Sequence, residues 1–294
     1  MIRKIYLPGA KLFSAFSIIV LAATSISAHE KWFHETESYN LRWDLFFRPL
    51  PLAFVGAVLL ATIAAGFLYY RRGRRGFIPG PESFGATDDR RAALYGLIPA
   101  IISIHVAVPL LVSGVQGELF TPNNKLPGVW MYIFGLAQMG IALALFYGGL
   151  TRLAAVALGG LWFAGIFLVG LEPMLESSMY LGFAAFFFFA GRGPISIDRL
   201  IFPRLEPSEK LMEKAIPALQ TGLGLSLIVI AFTEKFFNIP LSAAFLERYP
   251  LNFTGALGIQ MSNETFILCA GAVELLVGLW ILFGIFPRAI ILIA

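Results

Sequence analysis

Cysteine and histidine are the scarce residues here, one and three respectively in a chain of 294 residues. The single Cys269 lies inside an apolar run, so there is no internal disulfide and no thiol pair for redox exchange, and the residue reads as a small buried hydrophobe. The sequence contains no Walker A loop, no GxGxxG at a strand-to-helix turn and no GxSxG elbow, and none of the histidines falls in an HExxH. The nucleotide-binding, α/β-hydrolase and zinc-protease classes defined by those motifs are therefore not indicated. Charge is scarce too, at 14% of residues against 58% hydrophobic, with a mean hydropathy of +0.78.

What the chain does have is apolar blocks of about 20 residues, the length a helix needs to cross the hydrocarbon core. Backbone groups in lipid must be paired internally, and barrel strands would be shorter and alternating, so the fold class is an all-α, polytopic membrane helical bundle. The complete blocks lie near residues 50–70, 94–114, 129–149, 152–171, 177–191, 215–233 and 265–286. A further run begins at Ala289 and stops six residues later, too short to span, so the last helix is expected to be cut short.

The first block has different grammar. Arg3, Lys4 and Lys11 precede a short apolar core over residues 12–23, followed by small residues up to Ala28. This reads as a signal peptide, residues 1–28, with cleavage after Ala28 leaving His29 first; a cut after Ser27 would leave Ala28 first, and an uncleaved run would be an extra membrane anchor. An extracytoplasmic segment, 29–48, then leads into a membrane helix with a basic loop, 49–92. Alternation from an exported His29 places 13 Lys and Arg in inner loops and six in outer segments, in agreement with the positive-inside rule and a multi-pass protein of the cell membrane. The net charge of +4 is thus a mark of topology; no soluble domain accompanies "RRGRRG" (71–76), so nucleic acid is not an expected partner. The polar stretch "IDRLIFPRLEPSEKLMEK" (197–214) reads as a linker on the inner surface, its core at 201–214.

An internal repeat is visible. "GLAQMGIALALFYGGLTR" (135–152) overlays "GAVELLVGLWILFGIFPR" (271–288) without a gap, and "GELFTPN" (117–123) is echoed by "EKFFNIP" (234–240). Equivalent elements are four helices apart, so both copies should share one orientation. With "FTEKFFNIP" (232–240), the second of those helices and the "GRGPISIDRL" close at 191–200, the chain resembles the DoxX/DoxD family of small four-helix membrane proteins. The resemblance covers 93–200 and 215–294, as tandem four-helix repeats with the second incomplete. It implies a membrane subunit near quinone chemistry; the sequence holds no haem ligand pair and no flavin motif, so the electrons would come from a redox protein partner.

Three groups of residues carry potential chemistry. In "SISAHEKWFH" (25–34), an N-terminal His29 could chelate copper through its amine and ring, with His34 adding a third nitrogen; the alternative is two solvated histidines. His105, Gln138 and Glu274 each fall near the middle of a helix, and the last two are equivalent in the repeat. Such residues usually face a bundle interior and have partners, so a proton, quinone or ion site competes with a satisfied interhelical hydrogen bond. Pro109 frees the carbonyl of His105, and His105 is expected to be nearer to Glu274 than Lys235 is. Glu234 and Lys235 close their helix at the outer interface, as a snorkelling pair or a headgroup contact. Three functions follow: a quinone-associated redox subunit first, then an exported copper-handling protein, then a scaffold without chemistry of its own.

Overall fold

The computed structural model describes residues 30–33, 39–203 and 208–293. His29, His34 and the signal-like segment lie outside them. The described residues form helices α1 (Pro49–Arg71), α2 (Asp88–Gln116), α3 (Trp130–Tyr147), α4 (Thr151–Leu168), α5 (Leu171–Glu176), α6 (Ser178–Ala190), α7 (Glu209–Ile230), α8 (Ile239–Arg248), α9 (Asn263–Phe283) and α10 (Pro287–Ile293). Among these residues six helices are long and apolar enough to cross a bilayer. The protein is an all-α polytopic membrane bundle.

The apolar blocks of the sequence map onto these helices, with one difference. The block at 177–191 yields only 13 helical residues in α6, preceded by the separate turn α5. At a rise of about 1.5 Å per residue, α6 is shorter than the bilayer core. Helix α7 begins at Glu209, inside the stretch 201–214 read as a linker.

The long helices pack in chain order, α2 on α3, α3 on α4, α4 on α6, α6 on α7 and α7 on α9, and α9 also packs on the distant α1. One apolar core, with Leu110, Leu145, Leu158, Met174 and Phe187 all fully buried, joins α2, α3, α4, α5 and α6; a second, around Phe236, Leu268 and Leu275, joins α1, the end of α7 and α9. Outward-facing Leu60, Ile63, Phe67, Val115 and Phe167 are exposed, as lipid contact requires.

Lipid tails are as apolar as leucine, so helix pairs gain by close approach rather than by burial. Glycines meet at three of these contacts. A Cβ on Gly135 would stand 2.5 Å from the Gly114 carbonyl oxygen, one on Gly222 2.5 Å from Gly182 Cα, and one on Gly224 2.8 Å from the Gly278 carbonyl oxygen.

The helix ends sort into two groups. At one end Arg192 donates to the carbonyls of Leu145 (3.1 Å), Phe146 (2.9 Å) and Ile195 (3.0 Å), while the Asp198 carboxylate accepts from the Leu150 and Thr151 amides. The motif "GRGPISIDRL" is thus a clamp on the α3–α4 turn, and Gly148 is required beneath it because a Cβ there would sit 2.3 Å from Arg192 Cγ. Left-handed caps occur at positions that the sequence overlay aligns: Gly148 with Leu150 (φ 68° and 53°) and Gly284 with Phe286 (φ 61° and 45°). The opposite end carries residues 30–33 and 39–48, the 117–128 loop, α5 and the segment 234–262.

Candidate functional site

The site forms where α7 ends. Its last turn widens into a π-turn, Ala231–Phe236, a local distortion common at functional positions. The turn brings two consecutive charged residues inward, Glu234 at 1% and Lys235 at 3% exposure. Lys235 does not snorkel to the interface: its ammonium lies 3.1 Å from Glu274 Oε1, 3.6 Å from Glu234 Oε2 and 3.6 Å from Glu30 Oε1. The reason is steric. Gly271, one turn before Glu274, admits the lysine stem, since a Cβ on Gly271 would be 3.0 Å from Lys235 Cβ. Lys235 therefore enters level with Gly271, and its side chain spans the remaining turn of about 4.5 Å.

The N-terminal segment closes this site from above. Glu30 is buried, its amide donating to Glu234 Oε2 at 3.1 Å, and the Ser242 hydroxyl of α8 lies within hydrogen-bond reach of both a Glu30 carboxylate oxygen and the Glu234 carbonyl (2.8 Å), its one proton shared between them. Burial pushes the Glu30 carboxyl up to about 7, against the pull of Lys235 and the Ser242 hydrogen bond and with the help of neighbouring Glu234 and Glu274. Phe33 packs on Phe245 and Tyr249 of the same end, with ring centroids 5.8 and 5.7 Å apart.

A second charged group adjoins the first. Lys31 Nζ lies 2.9 Å from Glu172 Oε1 and 2.5 Å from Glu176 Oε1, and the Thr233 hydroxyl donates to Glu176 Oε1 at 2.5 Å. The Ser226 hydroxyl donates to the Glu176 carbonyl. Burial opposes the Lys31 ammonium, but Glu176 and Glu172 outweigh it and hold the group above its usual range. Burial pushes the Glu176 carboxyl up despite Lys31, and nearby Glu234 adds to the shift.

The predicted trio of His105, Gln138 and Glu274 does not assemble around His105. His105 is exposed, and its Nδ1 lies 2.8 Å from the Ile101 carbonyl of its own helix. A local carbonyl satisfies one ring nitrogen there, so the imidazole needs no interior partner. Gln138 is fully buried; it accepts from the Phe120 amide (3.0 Å) and donates to the Glu118 carbonyl (2.7 Å), pinning the 117–126 loop. Glu274 pairs instead with Lys235, so the expectation that His105 stands nearer to it is corrected. Residues aligned in the sequence overlay make comparable contacts. Gln138 reaches Glu118, Glu274 reaches Lys235, and 118 and 235 are equivalent in the sequence overlay.

Glu30, Lys31, Glu172, Glu176 and Ser242 were not singled out from the sequence. The available signal was their charge in an apolar chain, with Glu172 and Glu176 spaced to share a helix face. Among the described residues, no group of three or more His, Cys, Asp or Glu is arranged to hold a metal ion. A cavity of about 410 Å³ lies at the opposite end, among Tyr69, Arg74, Arg75, Phe77, Phe286 and Arg288. No family model, curated protein or solved structure matches the chain.

Proposed function

We propose that the chain is an integral membrane subunit of a redox-linked, quinone-associated system of DoxX type, and that the Glu30–Glu234–Lys235–Glu274 cluster holds protons for that chemistry. One observation carries the reading. The two segments on which the family resemblance of the second copy rests, "FTEKFFNIP" and "GAVELLVGLWILFGIFPR", meet in the Lys235–Glu274 ion pair. A buried ammonium facing three carboxylates cannot keep all of them ionised at low cost, so the cluster stores at least one exchangeable proton. Quinone reduction takes up protons with its electrons, and a proton-holding group at a membrane surface serves that step. The chain offers no haem ligand pair or flavin motif, so a redox protein partner supplies the electrons. In this reading the cluster end faces outward across the cell membrane, and the clamp end, with Arg71, Arg72, Arg74 and Arg75, faces the cytoplasm. The tandem, parallel relation of 93–200 and 215–294 belongs to the same proposal.

The test is purification from native membranes in mild detergent, with solvent extraction for quinone and identification of copurifying proteins. Retained quinone or a stoichiometric oxidoreductase, both lost in Lys235→Met, supports the reading. Protein that carries neither, with an unchanged host phenotype in Lys235→Met and Glu274→Gln, leaves a scaffold.

A further inference from the structure

Between the two charged groups lies a small cavity of about 10 Å³, lined by Trp32, Thr121, Asn123, Glu176, Ser177 and Glu234, with Met179 and Ile230 closing it. That volume is about one probe sphere and admits one water or one bare cation. Ser177 is 1% exposed and its hydroxyl has no hydrogen-bond partner; the Asn123 side-chain oxygen, also buried, has none either. Buried polar atoms of this kind are rare and call for an occupant.

The surrounding charge defines what that occupant is. Among the described residues the ion pairs join Lys31 to Glu172 and Glu176 and Lys235 to Glu30, Glu234 and Glu274, so each ammonium is shared by more than one carboxylate. The cavity's polar lining is hydroxyl, amide and carboxylate oxygen, a hard donor set without imidazole or thiolate. Two carboxylates and so small a space are too little for the six to eight oxygens of calcium, and magnesium keeps its own waters. We propose that this cavity is a binding site for one small monovalent cation, Na⁺ or hydronium, held by Glu176, Glu234, Ser177 and Asn123. It bridges the two charged groups and fastens α5 and the 117–126 loop to the end of α7. The assignment does not rest on quinone chemistry, since every argument for it is local.

The experiment uses the full chain in neutral-lipid nanodiscs, freed of bound quinone by exchange. Thermal stability is titrated with NaCl against choline chloride at constant ionic strength, at several pH values from about 5 to about 9, and ²³Na line broadening reads binding directly. A saturable, Na⁺-specific rise in Tm is expected. Its midpoint should move at least tenfold in Ser177→Ala and in the milder Asn123→Ser, but not in Ser103→Ala, a buried serine elsewhere. A rise at low pH that is blind to Na⁺ and reduced in Ser177→Ala identifies hydronium as the occupant. Competition between H⁺ and Na⁺ identifies one site taking either. Equal responses in wild type, Ser177→Ala and Asn123→Ser, with no Na⁺ broadening, overturn the proposal and leave a water in the cavity. Loss of quinone binding without loss of these responses refutes the functional reading alone.

Discussion

Lys235 Nζ stands 3.1 Å from Glu274 Oε1, joining the π-turn after α7 to the middle of α9. The pair is one edge of a buried group in which Glu30 and Glu234 share the same ammonium. Removing the lysine leaves three carboxylates facing one another, whereas removing Glu274 leaves the lysine two partners. Lys235→Met should therefore cost about 3–5 kcal/mol and Glu274→Gln distinctly less. The double variant should recover about 1–3 kcal/mol relative to additivity. Unfolding of the four proteins in one lipid composition measures the cycle, and strict additivity would remove the pair from the account.

The protonation of Glu30 makes stability depend on pH. Its carboxyl titrates near 7 in the folded chain against 4.5 unfolded, so the folded state holds the extra proton between those values. Stability linked to this group is full below about 4.5, declines as pH rises through about 7, and is flat above. The groups facing it are Lys235, Glu234, Glu274 and Ser242. The full shift corresponds to about 3 kcal/mol at most. Glu30→Gln should flatten the slope of Tm between pH about 5 and about 8 and raise Tm at the alkaline end. An unchanged slope in that variant would assign the pH dependence to another carboxylate.

The spans were legible because lipid imposes a length and a composition on every crossing, and the blocks at 50–70, 129–149 and 265–286 correspond to α1, α3 and α9. Gln138 and Glu274 were legible as polar residues inside such spans, each needing a partner. Their partners were not, for distinct reasons. The depth of Lys235 depends on a π-turn and on the space over Gly271, neither of which follows from counting 1.5 Å steps along α7. Glu30 and Lys31 reach Glu234 and Glu176 across separations of 204 and 145 residues, and hydrophobic periodicity carries no information about such contacts. His105 looked interior because its helix is apolar on every side. A histidine bonded to its own helix carbonyl can face outward at less cost than a bare one.

The separation of His105 from Gln138 has a direct consequence for substitution. Gln138→Leu leaves the Phe120 amide and the Glu118 carbonyl without their partner in a buried site, at about 1–3 kcal/mol for each orphaned group. His105→Ala removes an exposed ring and should stay within about 0.5 kcal/mol. Thermal unfolding of both variants in nanodiscs distinguishes them. A His105→Ala loss as large as that of Gln138→Leu would mean that His105 turns inward.

Helix contact through glycine couples packing to the site. Gly222 of α7 lies against Gly182 of α6, so a Cβ there would meet Gly182 Cα at 2.5 Å, Gly182 N at 2.7 Å and the Ser178 carbonyl oxygen at 2.9 Å. These are backbone atoms of a neighbouring helix, and no rotamer change relieves the clash, so Gly222→Ala must push α6 and α7 apart. The separation also breaks the bond from the Ser178 hydroxyl to the Gly222 carbonyl (3.1 Å) and loosens the Ser226 contact to Glu176 one turn further on. Overpacking of this kind costs about 1–3 kcal/mol. Gly140 of α3 provides the opposite case, because nothing lies within 4 Å of a Cβ placed there. Gly140→Ala therefore gains only the helix propensity of alanine, about 1 kcal/mol. The two identical chemical changes should move Tm in opposite directions, and only the Gly222 variant should shift the pH dependence that Glu176 contributes. If both variants stabilise, α6 and α7 do not approach through glycine, and the route by which α6 positions Ser177 and Glu176 against α7 would have to lie elsewhere.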